Sequence, residues 1–140
     1  MIQQLVNGHY GTSHSMPADT YIQAIRCFQA SLCYGIGGST TGSETTDELF
    51  PVNPATGAHG SVSTLSNFDA TGLTCISTTE CRIVGFILPA DTPAVLNVTN
   101  GQAGTPVSEP GTYLSGIACA TTALCYAVGA NSSGAIVEKV

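Results

Sequence analysis

The sequence has few charged side chains, and most of them are acidic. Only 9% of its 140 residues are Asp, Glu, Lys or Arg, where about 25% is usual. Three of these are bases, Arg26, Arg82 and Lys139, and the net charge is -6 at pH 7. Binding to nucleic acids or to anionic membranes needs clustered Lys and Arg side chains. The composition therefore predicts that neither is a partner.

Long apolar segments are also missing. The longest run, Ile83 to Leu88, is interrupted by Gly85, whereas a membrane-spanning helix needs about 20 apolar residues. The first residues, MIQQLVNGHYG, include neither a basic leader nor the apolar segment of a secretion signal. We therefore expect no membrane insertion, and if the protein is secreted we expect the chain to be a mature product or part of a longer precursor.

The residue patterns of catalysis and of cofactor binding are absent from the sequence. No G-x-S-x-G motif occurs, and the glycine pairs of NGHYG and NGQAG lack the Lys of a phosphate-binding loop. The histidines His9, His14 and His59 do not recur at equivalent positions. We therefore predict that the protein is not an enzyme and holds no metal or cofactor.

Acidic residues cluster at one place, the Ser/Thr-rich stretch STTGSETTDEL, which includes Glu44, Asp47 and Glu48. This composition predicts a mobile, solvated loop. A weak calcium site is the alternative, because carboxylates and hydroxyls suit a hard cation, although the spacing of an EF-hand is missing.

One cysteine spacing is used three times and accounts for all the cysteines. The three pairs share the pattern C-x5-C, and they are Cys27 with Cys33, Cys75 with Cys81, and Cys119 with Cys125. The first cysteines of successive pairs lie 48 and then 44 residues apart. Such a period indicates tandem copies of one module.

The residues around each cysteine pair predict a β-hairpin. The cores read YIQAIRCFQASLCYGIGG, ATGLTCISTTECRIVGF and YLSGIACATTALCYAVGA, and we align Gly35, Gly85 and Gly129 in them. Alternation of apolar residues after the second cysteine favours strands, and the five residues between the cysteines suit a hairpin loop. Tyr34 matches Tyr126, and Tyr21 matches Tyr113, so we expect both pairs to pack between sheets.

A second shared segment precedes each core. Glycine turns in LVNGHYGTSH, NPATGAHGSVS and NVTNGQAGTPVS are each preceded by an apolar strand, Ile2 to Val6, Glu48 to Val52, and Ala94 to Val98. Each module therefore supplies about four short strands. We expect a single repeat domain over residues 1–140, with repeats at about 2–50, 51–94 and 95–140.

Three disulfides, one within each hairpin, are the best explanation of the cysteine pairs. Disulfides form in oxidising compartments, so an extracellular or cell-surface location follows. Reduced, buried cysteines are the alternative. Zinc is disfavoured because its ligand pairs are usually spaced more closely.

The cores GIACATTALCYAVG and LTCISTTECRIVG, with the downstream GAIVEKV, resemble the blades of secreted bacterial β-propellers with C-x5-C repeats, and more distantly bacterial-neuraminidase-repeat blades. The resemblance implies an all-β fold of three four-stranded blades. Because a propeller ordinarily needs four to eight blades, it implies half of a six-bladed ring or part of a larger assembly. The Asp-box motif and Trp are missing, so glycosidase activity does not carry over. A β-trefoil is the alternative fold.

The two ends of the chain carry the same type of strand. GAIVEKV, from Gly134, matches MIQQLV at the start, so a terminal strand could enter a neighbouring molecule's sheet. We therefore predict a structural or interaction module that forms homo-oligomers or fibres. The predicted assembly residues are Ile2, Leu5, Val6, Ala135, Ile136, Val137 and Val140.

A multivalent carbohydrate-binding, lectin-like module is the alternative function, because propellers and trefoils both present repeated shallow pockets. Glycans would then be its partners. Separately, Asn97 and Asn131 begin acceptor sequons for N-glycosylation.

Overall fold

The structure is a computed structural model that describes residues 2–7, 9–15, 20–41, 44–109 and 112–140. No helix that could cross a membrane occurs among these residues. Their strands are β1 Ile2–Val6, β2 His9–His14, β3 Thr20–Gln29, β4 Leu32–Thr41, β5 Glu44–Val52, β6 Ser63–Thr64, β7 Phe68–Cys75, β8 Glu80–Ile87, β9 Thr92–Thr99, β10 Gln102–Ala103, β11 Val107–Ser108, β12 Tyr113–Thr121, β13 Leu124–Asn131 and β14 Gly134–Lys139.

These strands form three antiparallel sheets and one separate hairpin. The first sheet has the order β3-β4-β5-β6, the second β7-β8-β9-β10 with β11 also on β9, and the third β12-β13-β14, while β1 and β2 form the N-terminal hairpin. The all-β prediction is confirmed, and the sheets are open. A trefoil barrel would pair strands of neighbouring repeats, and no described pairing joins two of these sheets. Their assignment to propeller blades stays a prediction.

A disulfide-bonded hairpin lies at the start of each sheet. Cysteine faces cysteine across β3-β4, β7-β8 and β12-β13, and all three pairs are disulfide-bonded. The expectation of a five-residue loop is wrong in the first and third hairpins. There the strands continue beyond the cysteines, with Gln29 opposite Leu32 and Thr121 opposite Leu124, so only two residues turn.

A glycine is required four residues after the second cysteine of each pair. At Gly37, Gly85 and Gly129 alike, an added Cβ would meet a backbone carbonyl oxygen of the facing strand. That strand has a bulge near the contact in all three sheets. The alignment of Gly35 with the other two was therefore wrong, and Gly37 is the equivalent residue.

The acidic stretch is part of the first sheet. Strand β4 continues to Thr41 and β5 begins at Glu44, and Asp47 is only 7% exposed. The predicted solvated loop is therefore wrong at Asp47, because long strands bring the stretch into the sheet.

The sheets stack in chain order, and the second sheet uses one face for the first sheet and the other face for the third. Ile36 and Leu49 of the first sheet share a core with Ile83 and Leu96 of the second. On the other face of the second sheet, Val84 and Val95 share a core with Leu114, Ile117 and Ala127 of the third. Full burial of each such side chain contributes about 1.5–3 kcal/mol, so apolar contact between sheets is the main force that holds them together.

Candidate assembly surface

One face of the third sheet exposes several apolar side chains. We call these side chains the open face, namely Leu124, Tyr126 and Val128 on β13 and Val137 on β14, and Lys139 lies beside them, opposite Tyr126. Val128 and Val137 lie opposite each other in the sheet and are 46% and 72% exposed. Neighbouring apolar side chains of this kind often mark an interaction site.

The same positions are buried in the other two sheets. Counted from the second cysteine, Val128 corresponds to Ile36 and Val84, and both of these are 0% exposed. The strand pairing makes Leu49 and Val95 the equivalents of Val137, and they are 1% and 6% exposed. The first two sheets are covered here by the sheet that follows. The open face is thus a sheet-stacking surface without a described sheet on it.

A polar contact recurs at the edge of each stacked face. The residue after the second cysteine reaches the hairpin turn of the next sheet: the Tyr34 hydroxyl donates to the Thr78 carbonyl oxygen at 3.1 Å, and Arg82 Nη2 donates to that of Thr122 at 2.8 Å. Both acceptors lie three residues after a first cysteine. The third residue of this set is Tyr126, which is 46% exposed.

The tyrosine predictions hold for Tyr34 and fail for Tyr126. Tyr34 is buried in the core between the first two sheets, whereas Tyr126 is exposed because no described sheet follows it. In the second pair, the Tyr21 hydroxyl bonds to Asp47. Tyr113 is 52% exposed, and its ring centre lies 5.1 Å from that of Phe86 on the second sheet.

The N-terminal hairpin has the strand register of the outer part of the second sheet. Val6 pairs with His9 and Ile2 with His14. In the second sheet, Thr99 pairs with Gln102 and Val95 with Val107, at the same spacings. The first residue after each strand also matches, since Asn7 and Asn100 both have positive φ, 50° and 53°. Strand β1 is therefore equivalent to β9, and β2 is equivalent to β10 and β11.

The predicted assembly residues fall into two groups. Ile2, Leu5 and Val6 lie on β1, and their side chains are outside the described residues. On and just after β14, Ala135 and Val137 are exposed, while Ile136 and Val140 are half-buried. Val137 alone of these four lies on the open face as an exposed large apolar side chain.

A buried carboxylate joins the first sheet to the second. Asp47 accepts hydrogen bonds from the Tyr21 hydroxyl at 2.5 Å and from the backbone N–H of Ala70 at 2.6 Å. Partial burial, followed by the charges of Asp47 and Asp91, raises the pKa of Asp69 above its usual value, although the residue is exposed at the surface. Burial and the bond to Asp47 likewise raise the pKa of Tyr21. Through these partners, Asp47 connects the first sheet to the second by hydrogen bonds.

The remaining candidate residues lie at the surface. Asn97 and Asn131 are exposed, and their glycosylation stays a prediction. Within the described ranges, no three metal-ligating side chains come together. A cleft of about 240 Å³ is lined by residues of the second and third sheets, among them Glu80, Arg82, Asn97 and Thr122.

Comparisons with protein-family models, with curated proteins and with solved structures found no match. The fold itself defines the class of the protein, an all-β repeat protein in which each of the three antiparallel sheets contains one disulfide-bonded hairpin. Disulfides of this kind are typical of proteins in oxidising compartments.

Proposed function

We propose that this protein is an extracellular structural or interaction module that self-associates through its third sheet and its terminal strands. The observation that carries the proposal is the exposure of Val128. The same position is fully buried in the first and second sheets, under the sheet that follows. A second copy of the chain supplies surfaces of the type that cover Ile36 and Val84.

The apolar character of the open face supports association strong enough to measure. Burying a fully exposed large aliphatic or aromatic side chain contributes about 1.5–3 kcal/mol. The four side chains of this face are 37–72% exposed, so each contributes part of that amount on association. Their sum is comparable with the estimated cost of lost translational and rotational freedom, at least about 4 kcal/mol. A weak to moderate self-association is therefore expected, unless exchange of strands adds to it.

Val128→Glu tests the proposal, and Val107→Glu is its matched control. Both valines are exposed, 46% and 56%, and both lie in strands, but Val107 is on the second sheet, away from the open face. A charge at position 128 would have to be desolvated on association. We expect Val128→Glu to weaken self-association at least roughly tenfold and Val107→Glu to leave it unchanged, as measured by sedimentation across a wide concentration range.

Circular dichroism should show that both variants remain folded. The proposal fails if the unmodified protein stays monomeric at every accessible concentration. It also fails if Val128→Glu and Val107→Glu associate equally well.

A carbohydrate-binding module is the second candidate. The observation in its favour is the polar cleft between the second and third sheets, where Arg82, Glu80 and Asn97 offer hydrogen-bonding groups. At the equivalent edge of the first sheet, the Tyr34 ring takes the place of Arg82. A glycan array without hits would remove this candidate.

A further inference from the structure

We propose that β1 of one copy replaces β14 of another copy beside β13. The third sheet of one molecule and the N-terminal hairpin of the next then form one four-stranded sheet, and the copies associate head to tail. This inference rests on the proposed self-association and specifies its partner surface and register.

The observed registers predict the new pairing. In the second sheet, Val84 lies opposite Val95 and Arg82 opposite Asn97. Strand β1 pairs with β2 in the same register in which β9 pairs with β10 and β11. Ile2 is therefore the residue of β1 that is equivalent to Val95. Val128 of one copy should therefore lie opposite Ile2 of the next, and Tyr126 opposite Gln4.

The exchange completes the third sheet. Among the described strands, β5 is flanked by β6 and β9 by β10 and β11, while the outer edge of β14 has no partner. Strand β1 brings β2 with it, already paired. The resulting sheet has the strand order β12-β13-β1-β2, which is equivalent to the order β7-β8-β9-β10 of the second sheet. In it, β13 is paired on both sides and β1 is paired with β2.

The composition of β14 also favours its replacement. Glu138 lies opposite Ala127, at the position that Phe50 and Leu96 occupy in the first two sheets. Those two side chains are 5% and 2% exposed. Strand β1 has Gln3 at this position and no charged residue at all. Burying a neutral amide costs less than burying a carboxylate, so β1 is the better strand for a stacked sheet.

The order of the strands along the chain also bears on what covers the open face. In this fold the last short strand of a sheet leads directly to the first strand of the next sheet, as β6 leads to β7 and β11 to β12. Strand β2 likewise precedes β3 in the order of strands, and its His14 side chain lies against Gly57, which follows β5 in the first sheet. The incoming copy thus carries its own first sheet to the open face.

The recurring polar contact identifies where the two copies meet. Tyr34 and Arg82 donate to carbonyl oxygens three residues after the next sheet's first cysteine. By the same count, the Tyr126 hydroxyl of one copy should donate to the carbonyl oxygen of Ala30 in the second copy. Ala30 is exposed and belongs to a two-residue turn like that of Thr122.

Two point variants of the full chain separate strand exchange from simple docking of the open face. Simple docking keeps Val137 in the contact, whereas strand exchange removes it together with β14, so strand exchange predicts that Val137→Glu weakens self-association far less than Val128→Glu does. Ile2→Asp should weaken it roughly tenfold or more, as should Val128→Glu. If Val137→Glu weakens association as much as Val128→Glu while Ile2→Asp has no effect, strand exchange is wrong and self-association through the open face stands.

Photo-cross-linking provides a readout that does not depend on Ile2→Asp folding. The probe is p-benzoylphenylalanine at position 126, in a mixture of light and isotope-labelled heavy copies. Mass spectrometry should find light-to-heavy cross-links at the hairpin turn around Ala30. Cross-links from position 126 to the third sheet of the other copy would overturn the head-to-tail arrangement.

Discussion

Asp47 and its partners show how single polar residues align two apolar sheets. The carboxylate is buried, yet both of its oxygens accept hydrogen bonds, one from the first sheet and one from the second. Hydrogen bonds to charged groups contribute about 1.5–3 kcal/mol each. Apolar contact alone does not fix the position of one sheet relative to the other, whereas these two hydrogen bonds do.

Asp69 should make the stability of the protein depend on pH. Its pKa is raised by partial burial and by the charges of Asp47 and Asp91, so the folded state holds this proton more tightly than the unfolded state. The resulting stabilisation is present below the ordinary Asp pKa of about 3.9 and is lost as the pH rises through the raised value. We expect Asp69→Asn to raise the melting temperature at neutral pH and to have no such effect at about pH 3.

The control for this prediction is Glu138→Gln on the third sheet, which removes one negative charge far from Asp47. Thermal melts by circular dichroism at both pH values provide the measurement. An equal gain from the two variants would show that net charge, and not the contact of Asp69 with Asp47, is responsible.

At the scale of the element, each disulfide closes a hairpin of the same length. The sequence separation is six residues in all three, so the chain-entropy model gives each the same stabilisation, about 2 kcal/mol. We expect double replacement of Cys119 and Cys125 by Ala to lower the free energy of unfolding by about this amount. Denaturant titration would measure it.

The same double replacement at Cys27 and Cys33 is the matched comparison. Similar losses in the two variants would support the entropic account. A much larger loss in one hairpin would contradict it and would indicate that core packing around that cysteine dominates.

The sequence predicts elements with local signals and misses features that depend on distant partners. The cysteine hairpins and the strands before the glycine turns were predictable, because alternation and turn residues are local patterns. The burial of Asp47 was not, since its partners Tyr21 and Ala70 lie 26 and 23 residues away. Tyr34 and Tyr126 have similar local sequences, and only the presence of a following sheet makes one buried and the other exposed.

At the scale of the whole molecule, stacking in chain order produces two different ends. The second sheet is covered on both faces, while the third sheet is covered on one and has the open face on the other. The two ends of the stack of sheets therefore present different surfaces. Different surfaces favour head-to-tail contacts, which close into rings or continue as filaments. The rotation between successive sheets decides which of these forms.

Net charge should oppose this association. Every copy carries a charge of -6 at pH 7, while the four side chains of the open face are uncharged and Lys139 is the charged residue beside them, so copies repel at long range and attract on contact. Salt shortens the range of repulsion, from about 10 Å at 0.1 M to about 3 Å at 1 M. We therefore expect self-association to strengthen as sodium chloride is added, as measured by sedimentation.

Lowering the pH toward the isoelectric point of about 4.6 at low salt should have the same effect, because it removes the same repulsion. Weakening by salt would instead indicate that opposite charges hold the copies together, and the open face would not be the main contact.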